Sequence, residues 1–137
     1  TLAAEEAEPL LIKAGFTPEE VEKIKRAIIE HSFSKGLKPS CLEAAIVQDA
    51  DRLDALGAIG ILRCAAVNTQ MKSRFYDPFD PLAEQRELDD KSFMLDHYYV
   101  KLYKLPELMN TPQAKELAEK RVEYMKSFIN ELMSEVR

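Results

Sequence analysis

Residues 41–67 read "CLEAAIVQDADRLDALGAIGILRCAAV", a stretch that is apolar almost throughout and yet carries Asp49, Asp51, Arg52 and Asp54 within a few positions. Its apolar residues recur at helical spacing with no β-branched alternation, which predicts one long helix from Cys41 to about Val67. A helix that is apolar on all sides is a central, buried one. At about 100° per residue, Asp54 falls about 60° from Asp51, whereas Asp49 falls about 160° away. Asp51 and Asp54 therefore share a face with Val47, Ala58 and Leu62, and Asp49 belongs with Leu42, Leu53 and Gly60. Ionised carboxylates on a buried helix must be paired or coordinated, because an isolated buried charge is too costly. The residues alone leave two readings open for Asp51 and Asp54: ion pairs with Arg52, Arg63 or a neighbouring helix, or a ligand, above all a metal. Asp49 reads as a structural salt-bridge or capping partner. Arg52 points about 100° from Asp51, where it either reaches the rim of a site or serves the fold.

Working outward, the same periodicity gives an all-α chain. A first helix runs from about Ala3 to Ala14 and stops at Gly15. A second opens on "TPEE" at residues 17–20, with Thr17 as N-cap, Pro18 at the first position and Glu20 closing a capping box. The turn "SFSKGLKP" (32–39) leads to Ser40-Cys41-Leu42-Glu43, which again has capping-box spacing. Residues 68–91 contain "DPFDP" and mixed charge, and read as a long loop that could cover a site. A helix from about Lys91 to Leu105 follows, then one opened by Thr111-Pro112. The latter presents Ala114, Leu117, Ala118, Val122, Met125, Phe128, Ile129, Leu132 and Val136 on one broad face.

With 137 residues, 46% of them hydrophobic and 31% charged, the chain has the size and composition of a single globular domain over residues 1–137. No apolar run approaches the roughly 18 residues of a membrane span. A formal charge of -5 without any basic block disfavours a nucleic-acid partner, although one nucleotide would need only a cation or two. Two cysteines too far apart on one helix to bridge fit free thiols in a cytoplasmic protein.

Two histidines cannot build a histidine-rich metal cage, and neither His-Glu-x-x-His nor Cys-x-x-Cys spacing occurs. His31 follows Ile28 and Ile24 by three and seven positions, on the core stripe of its helix. It is either a core histidine held by one hydrogen bond or a group lining a pocket. His97, Lys101 and Lys104 are spaced to share a face, as a solvated surface or a cationic contact for phosphate.

"HSFSKGLKPSCLEAAIVQDADRLDALGAIGILR" (31–63) resembles the diagnostic segment of the HD-domain superfamily of metal-dependent phosphohydrolases, in its small bacterial-type subfamily. "DHYYVKLYKLPELMNTPQAKELAEKRVEYM" (96–125) and "AGFTPEEVEKIKRAI" (14–28) resemble further parts of it, so the likeness covers most of the chain. The resemblance implies an all-α, HD-domain-like helical bundle around the central buried helix. It also implies a divalent metal ion (manganese, iron, zinc, cobalt, nickel or magnesium) held by a histidine, a His-Asp dipeptide and a distant aspartate, which aligns with Asp51. Arg52 and, more weakly, Lys101 would contact substrate phosphate. Asp54 would be a nearby polar or proton-handling group, and His31 would line the pocket. The implied reaction is hydrolysis of a phosphoester or phosphoanhydride of a small, nucleotide-like substrate.

The chain contains no His-Asp dipeptide. It is therefore expected to be the C-terminal two-thirds of a longer domain, with those ligands upstream of Thr1. The alternative is a non-catalytic helical binding or scaffold domain that has lost the metal.

Overall fold

The computed structural model describes residues 2–32 and 36–136. Part of the turn expected at 32–39 lies outside the described residues. The fold is all-α, as expected, and among the described residues extended backbone pairs only in one isolated parallel bridge, Arg74 with Phe93. The chain forms two compact units that divide after Arg52.

In the first unit, α1 (Leu2–Lys13) and α2 (Pro18–Glu30) pack as a hairpin. The turn between them needs a left-handed residue, and Gly15 provides it with φ of 89° at no steric cost. The expected capping box is present: Thr17 Oγ1 accepts from Glu20 N at 3.3 Å, and Thr17 N donates to Glu20 Oε2 at 2.8 Å. Lys25 ties the two helices together through Glu8, at 2.6 Å.

α3 (Leu42–Asp54) starts past Ser40, whose backbone N–H is already taken by Glu30 Oε2 at 2.8 Å. Gln48, buried on α3, donates from Nε2 to the carbonyls of Glu30 and Leu37, each at 2.9 Å. It thereby fixes the end of α2 and the following turn against α3. Thr17→Ala should lower the unfolding free energy by about 1 kcal/mol. Gln48→Ala should lower it by about 1–2 kcal/mol, because two hydrogen bonds from a buried side chain to the Glu30 and Leu37 carbonyls are lost. Urea unfolding measures both, and a Gln48→Ala midpoint equal to the wild type would contradict the bridge.

The single helix expected over 41–67 is interrupted. α3 stops at Asp54 and α4 (Gly57–Met71) begins afresh. Gly57 has φ of 72°, and a Cβ there would meet Arg121 Cγ at 3.1 Å. Arg121 Nη1 donates to the Leu53 carbonyl at 2.5 Å, and Arg63 Nη1 reaches the Asp54 carbonyl at 3.3 Å. Carbonyls freed by the break are thus capped by cations. A Cβ on Gly60 would lie 2.2 Å from the Ala55 carbonyl oxygen. The expectation of a wholly buried helix is also corrected: Leu42, Ile46 and Val47 on α3 and Ile59, Leu62 and Val67 on α4 are exposed.

The second unit is built on α4, α5 (Met94–Val100), a 3-10 segment (Leu102–Leu108) and α6 (Pro112–Glu135). The helix expected over 91–105 gives way at Lys101, whose φ of -130° and ψ of -57° are not helical. Thr111 caps α6, accepting from Ala114 N at 3.3 Å. α6 buries Ala114, Ala118, Val122, Met125 and Ile129 against α4 and the 3-10 segment, while Leu117, expected on that face, stays exposed.

The long loop runs between Met71 and Met94 and is built by carboxylates accepting backbone N–H groups. Asp80 accepts from Glu84 and Gln85, both at 2.9 Å, and Asp89 accepts from Lys91 at 3.1 Å and Ser92 at 3.2 Å. Asp96, at the start of α5 and 1% exposed, anchors the whole segment. It receives Arg86 Nη1 at 2.5 Å, Arg86 Nη2 at 2.9 Å and Asp89 N at 2.7 Å. Arg86 also lies over the Phe93 ring at 4.5 Å.

Arg86→Ala should destabilise the protein by about 3 kcal/mol, since the buried Asp96 charge loses its partner. The backbone donors of Gln85 and Glu84 hold Asp80 below the usual carboxylate range, and the Ser92 donors do so for Asp89. A carboxylate depressed on folding stabilises above its unfolded value, near 3.8, and ceases to as pH falls through the folded one. Protection factors of the loop amides, corrected for intrinsic exchange, should therefore fall below about pH 4; protection that persists unchanged well below that pH would refute it.

Candidate functional site

The carboxylates of α3 separate as helical geometry requires. Asp49 is buried, with Arg52 Nη1 3.9 Å from its Oδ1. Asp51 and Asp54 are exposed. Asp54 forms an ion pair with Arg63. Among the described residues no ion pair engages Asp51, so its oxygens are the uncommitted ones of the three. Arg52 is largely buried rather than extended along a rim; burial lowers its pKa and the charges of Asp49 and Asp51 oppose that.

His31 caps the C-terminus of α2, half-buried, with Nδ1 2.7 Å from the Ile28 carbonyl. A carbonyl only accepts, so Nδ1 carries the proton and Nε2 is left as an acceptor. Among the described residues, no three His, Cys, Asp or Glu side chains come together in a group that could hold a metal ion. Asp51 is one donor where a divalent ion takes four or more, so the residues present do not by themselves fit a complete metal centre.

The second unit holds a cleft of about 480 Å³, inside the usual range for small-molecule sites. Its walls come from α4 and α5, with Val67, Met71, Met94 and Leu102 as the apolar surface. The lining also includes Arg63, Lys91, His97 and Lys101, with Asp90 as its carboxylate. His97 Nδ1 lies 2.9 Å from Asp90 Oδ2. Of the expected cationic face, His97 and Lys101 line the cleft; Lys104, carried away by the change to 3-10 geometry, does not. The sequence reading missed Arg63, Lys91 and the His97–Asp90 pair as cleft residues. The run of charges at 86–91 was visible, but nothing local shows that the loop returns to α5.

Cys64, also on the cleft wall, is pushed by burial up to about 11, so it is a neutral thiol and no nucleophile near pH 7. In a Cys41→Ser background, iodoacetamide labelling of Cys64 should climb with pH until close to pH 11. A rate that levels off by about pH 9, the ordinary thiol range, would disprove the shift.

No family model matches the chain. It is 31% identical over 139 residues to YpgQ of Bacillus subtilis, covering 98% of this chain and 62% of that relative. A crystal structure of YpgQ in complex with ADP matches with a TM-score of 0.77, over 96% of this chain and 61% of that one. An HD-superfamily hydrolase from Bacillus thuringiensis is 36% identical with a TM-score of 0.74, over 96% of this chain and 61% of its own. The Lin1889 protein of Listeria innocua is 30% identical with a TM-score of 0.70, over 96% of this chain and 67% of its own. Over nearly its whole length the chain is thus similar to an HD-superfamily hydrolase. It spans about three-fifths of the length of YpgQ.

Proposed function

We propose that this chain is the larger part of a metal-dependent phosphohydrolase that cleaves a phosphoester or phosphoanhydride in a small, nucleotide-like substrate. The observation that carries the reading is the likeness to an HD-superfamily hydrolase over nearly the whole chain, and the ADP bound by the similar YpgQ supports a nucleotide as ligand. Asp51 is the proposed metal ligand. Its partners among the three carboxylates are committed to arginines, and it is not. The described residues do not complete a donor set, and the relatives are considerably longer; the remaining donors are proposed to come from polypeptide outside these residues. A divalent ion in such a centre supplies an activated water and offsets phosphate charge near neutral pH.

From this chain, Arg52 and Lys101 are the proposed phosphate contacts, each able to stabilise charge that builds up on phosphorus-bound oxygens. Asp54, exposed and close in sequence to Asp51, is the proposed proton-handling group, and His31 a lining residue through Nε2. In the complete polypeptide, Asp51→Ala should remove the bound metal, measured by elemental analysis, and reduce phosphate release from nucleoside di- and triphosphates at least 100-fold. Asp49→Asn should cost stability but keep the metal. Full metal content and turnover in Asp51→Ala would sink the assignment.

The incomplete donor set among the described residues favours one second reading, a helical binding domain without catalysis. It predicts nucleotide binding by the complete polypeptide with no metal retained and no phosphate released.

A further inference from the structure

α3 is amphipathic the wrong way round. Its buried residues are Ala44, Ala45, Gln48 and Asp49, two of them small and two polar. Leu42, in contrast, is 67% and Ile46 52% exposed, and Val47 is exposed beside them. A helix that borders only solvent turns its polar side outward, and the single apolar residues normal to a surface do not collect on one stripe. Here they do. Leu42, Ile46 and Ala50 recur every fourth residue, so they form one ridge of the kind that packs into the groove of another helix. Ala50, also exposed, is the lowest point of that ridge, and the distance between packed helices is set by the side chains at their contact. No cation stands among the exposed residues of α3, so the face suits neither a phosphate backbone nor an anionic lipid surface.

The occupant is indicated by where the ridge leads. It ends beside Asp51, whose donor set the described residues do not complete. Donors that share a metal ion each lie about 2.0–2.3 Å from it, so the polypeptide that carries the others must lie against this same face. The relatives have such polypeptide: the chain covers 62% of YpgQ, and more than a third of that protein has no counterpart here.

We propose that the ridge is the seat of a helix from the same polypeptide, in the segment expected upstream of Thr1, which crosses α3 most closely at Ala50 and so brings its donors to Asp51. The seat rests on the phosphohydrolase reading only in its choice of occupant; its apolar burial needs no metal.

Thiol labelling of the complete polypeptide tests the seat, with each modified site located by peptide mass spectrometry and each rate taken relative to the same variant in urea. Ile46→Cys should react with iodoacetamide at least tenfold more slowly than Leu10→Cys, at an exposed position on α1, and equally slowly when the protein is diluted. Ala50→Leu, an enlargement that an uncovered helix surface accepts, should speed labelling of Ile46→Cys at least tenfold, because overpacking forces the seat open. Ala3→Leu, at an exposed alanine of α1, should change nothing. Labelling of Ile46→Cys as fast as Leu10→Cys overturns the proposal. Protection that vanishes on dilution gives the ridge to a second copy and overturns it too, as does labelling indifferent to Ala50→Leu. Rapid labelling at residue 46 with metal lost in Asp51→Ala defeats the seat alone. Protection there with metal retained in Asp51→Ala defeats the metal assignment and leaves the docked face standing.

Discussion

The carboxylate of Asp96 is the constraint on which the loop and cleft of the second unit depend. It is 1% exposed, and a carboxylate so placed persists as a charge only when its oxygens are met by donors. A guanidinium meets both of them in fork geometry and a backbone amide adds a third bond. The donors are Arg86 and Asp89, so satisfying one buried charge pulls both ends of the second half of the loop onto α5. Asp90 and Lys91 follow directly in sequence and are carried to His97. The cleft therefore owes one wall to a charge that does not itself line it.

Its other wall depends on the interruption after α3. The left-handed Gly57 and the missing Cβ of Gly60 allow α4 to restart close against Ala55, and the exposed carbonyls left behind attract Arg121 and Arg63. Arg63 thus does two things at once: it satisfies the end of one helix and lines the cleft. A single uninterrupted helix would leave Leu53 and Asp54 bonded within the helix and would free neither arginine for these carbonyls.

Legibility in the sequence followed range. The capping box at Thr17 and Glu20 and the cap at Thr111 were readable because both partners lie within one turn. Helical phase likewise separated Asp49 from Asp51. It could not say which of them faces inward, because that follows from Gln48 bonding to carbonyls at residues 30 and 37. The break at residues 55–56 was not readable either: its apolar periodicity continues unbroken, and Arg121, which caps it, stands far along the chain. The stop of α5 at Val100 has the same character, since "YYVKLYKL" (98–105) keeps helical spacing straight through it. Periodicity does not choose among the three aspartates; the proposal of Asp51 rests on the resemblance together with the partners the other two have taken.

Those partners follow a physical logic. A carboxylate meant to take an external cation has to remain without a strong protein cation, because an arginine already in place must be displaced before anything else binds, at a cost comparable to the pair's own strength. Asp49 is buried beside Arg52 and Asp54 is paired with Arg63, so each carboxylate has spent its affinity inside the fold. Asp51 lies between them in sequence and is exposed. Arg52, the next residue, is tied to Asp49 and also feels the charge of Asp51. The segment thus leaves Asp51 as the exposed carboxylate of the three without an arginine partner, which is why it is the one proposed as a metal ligand.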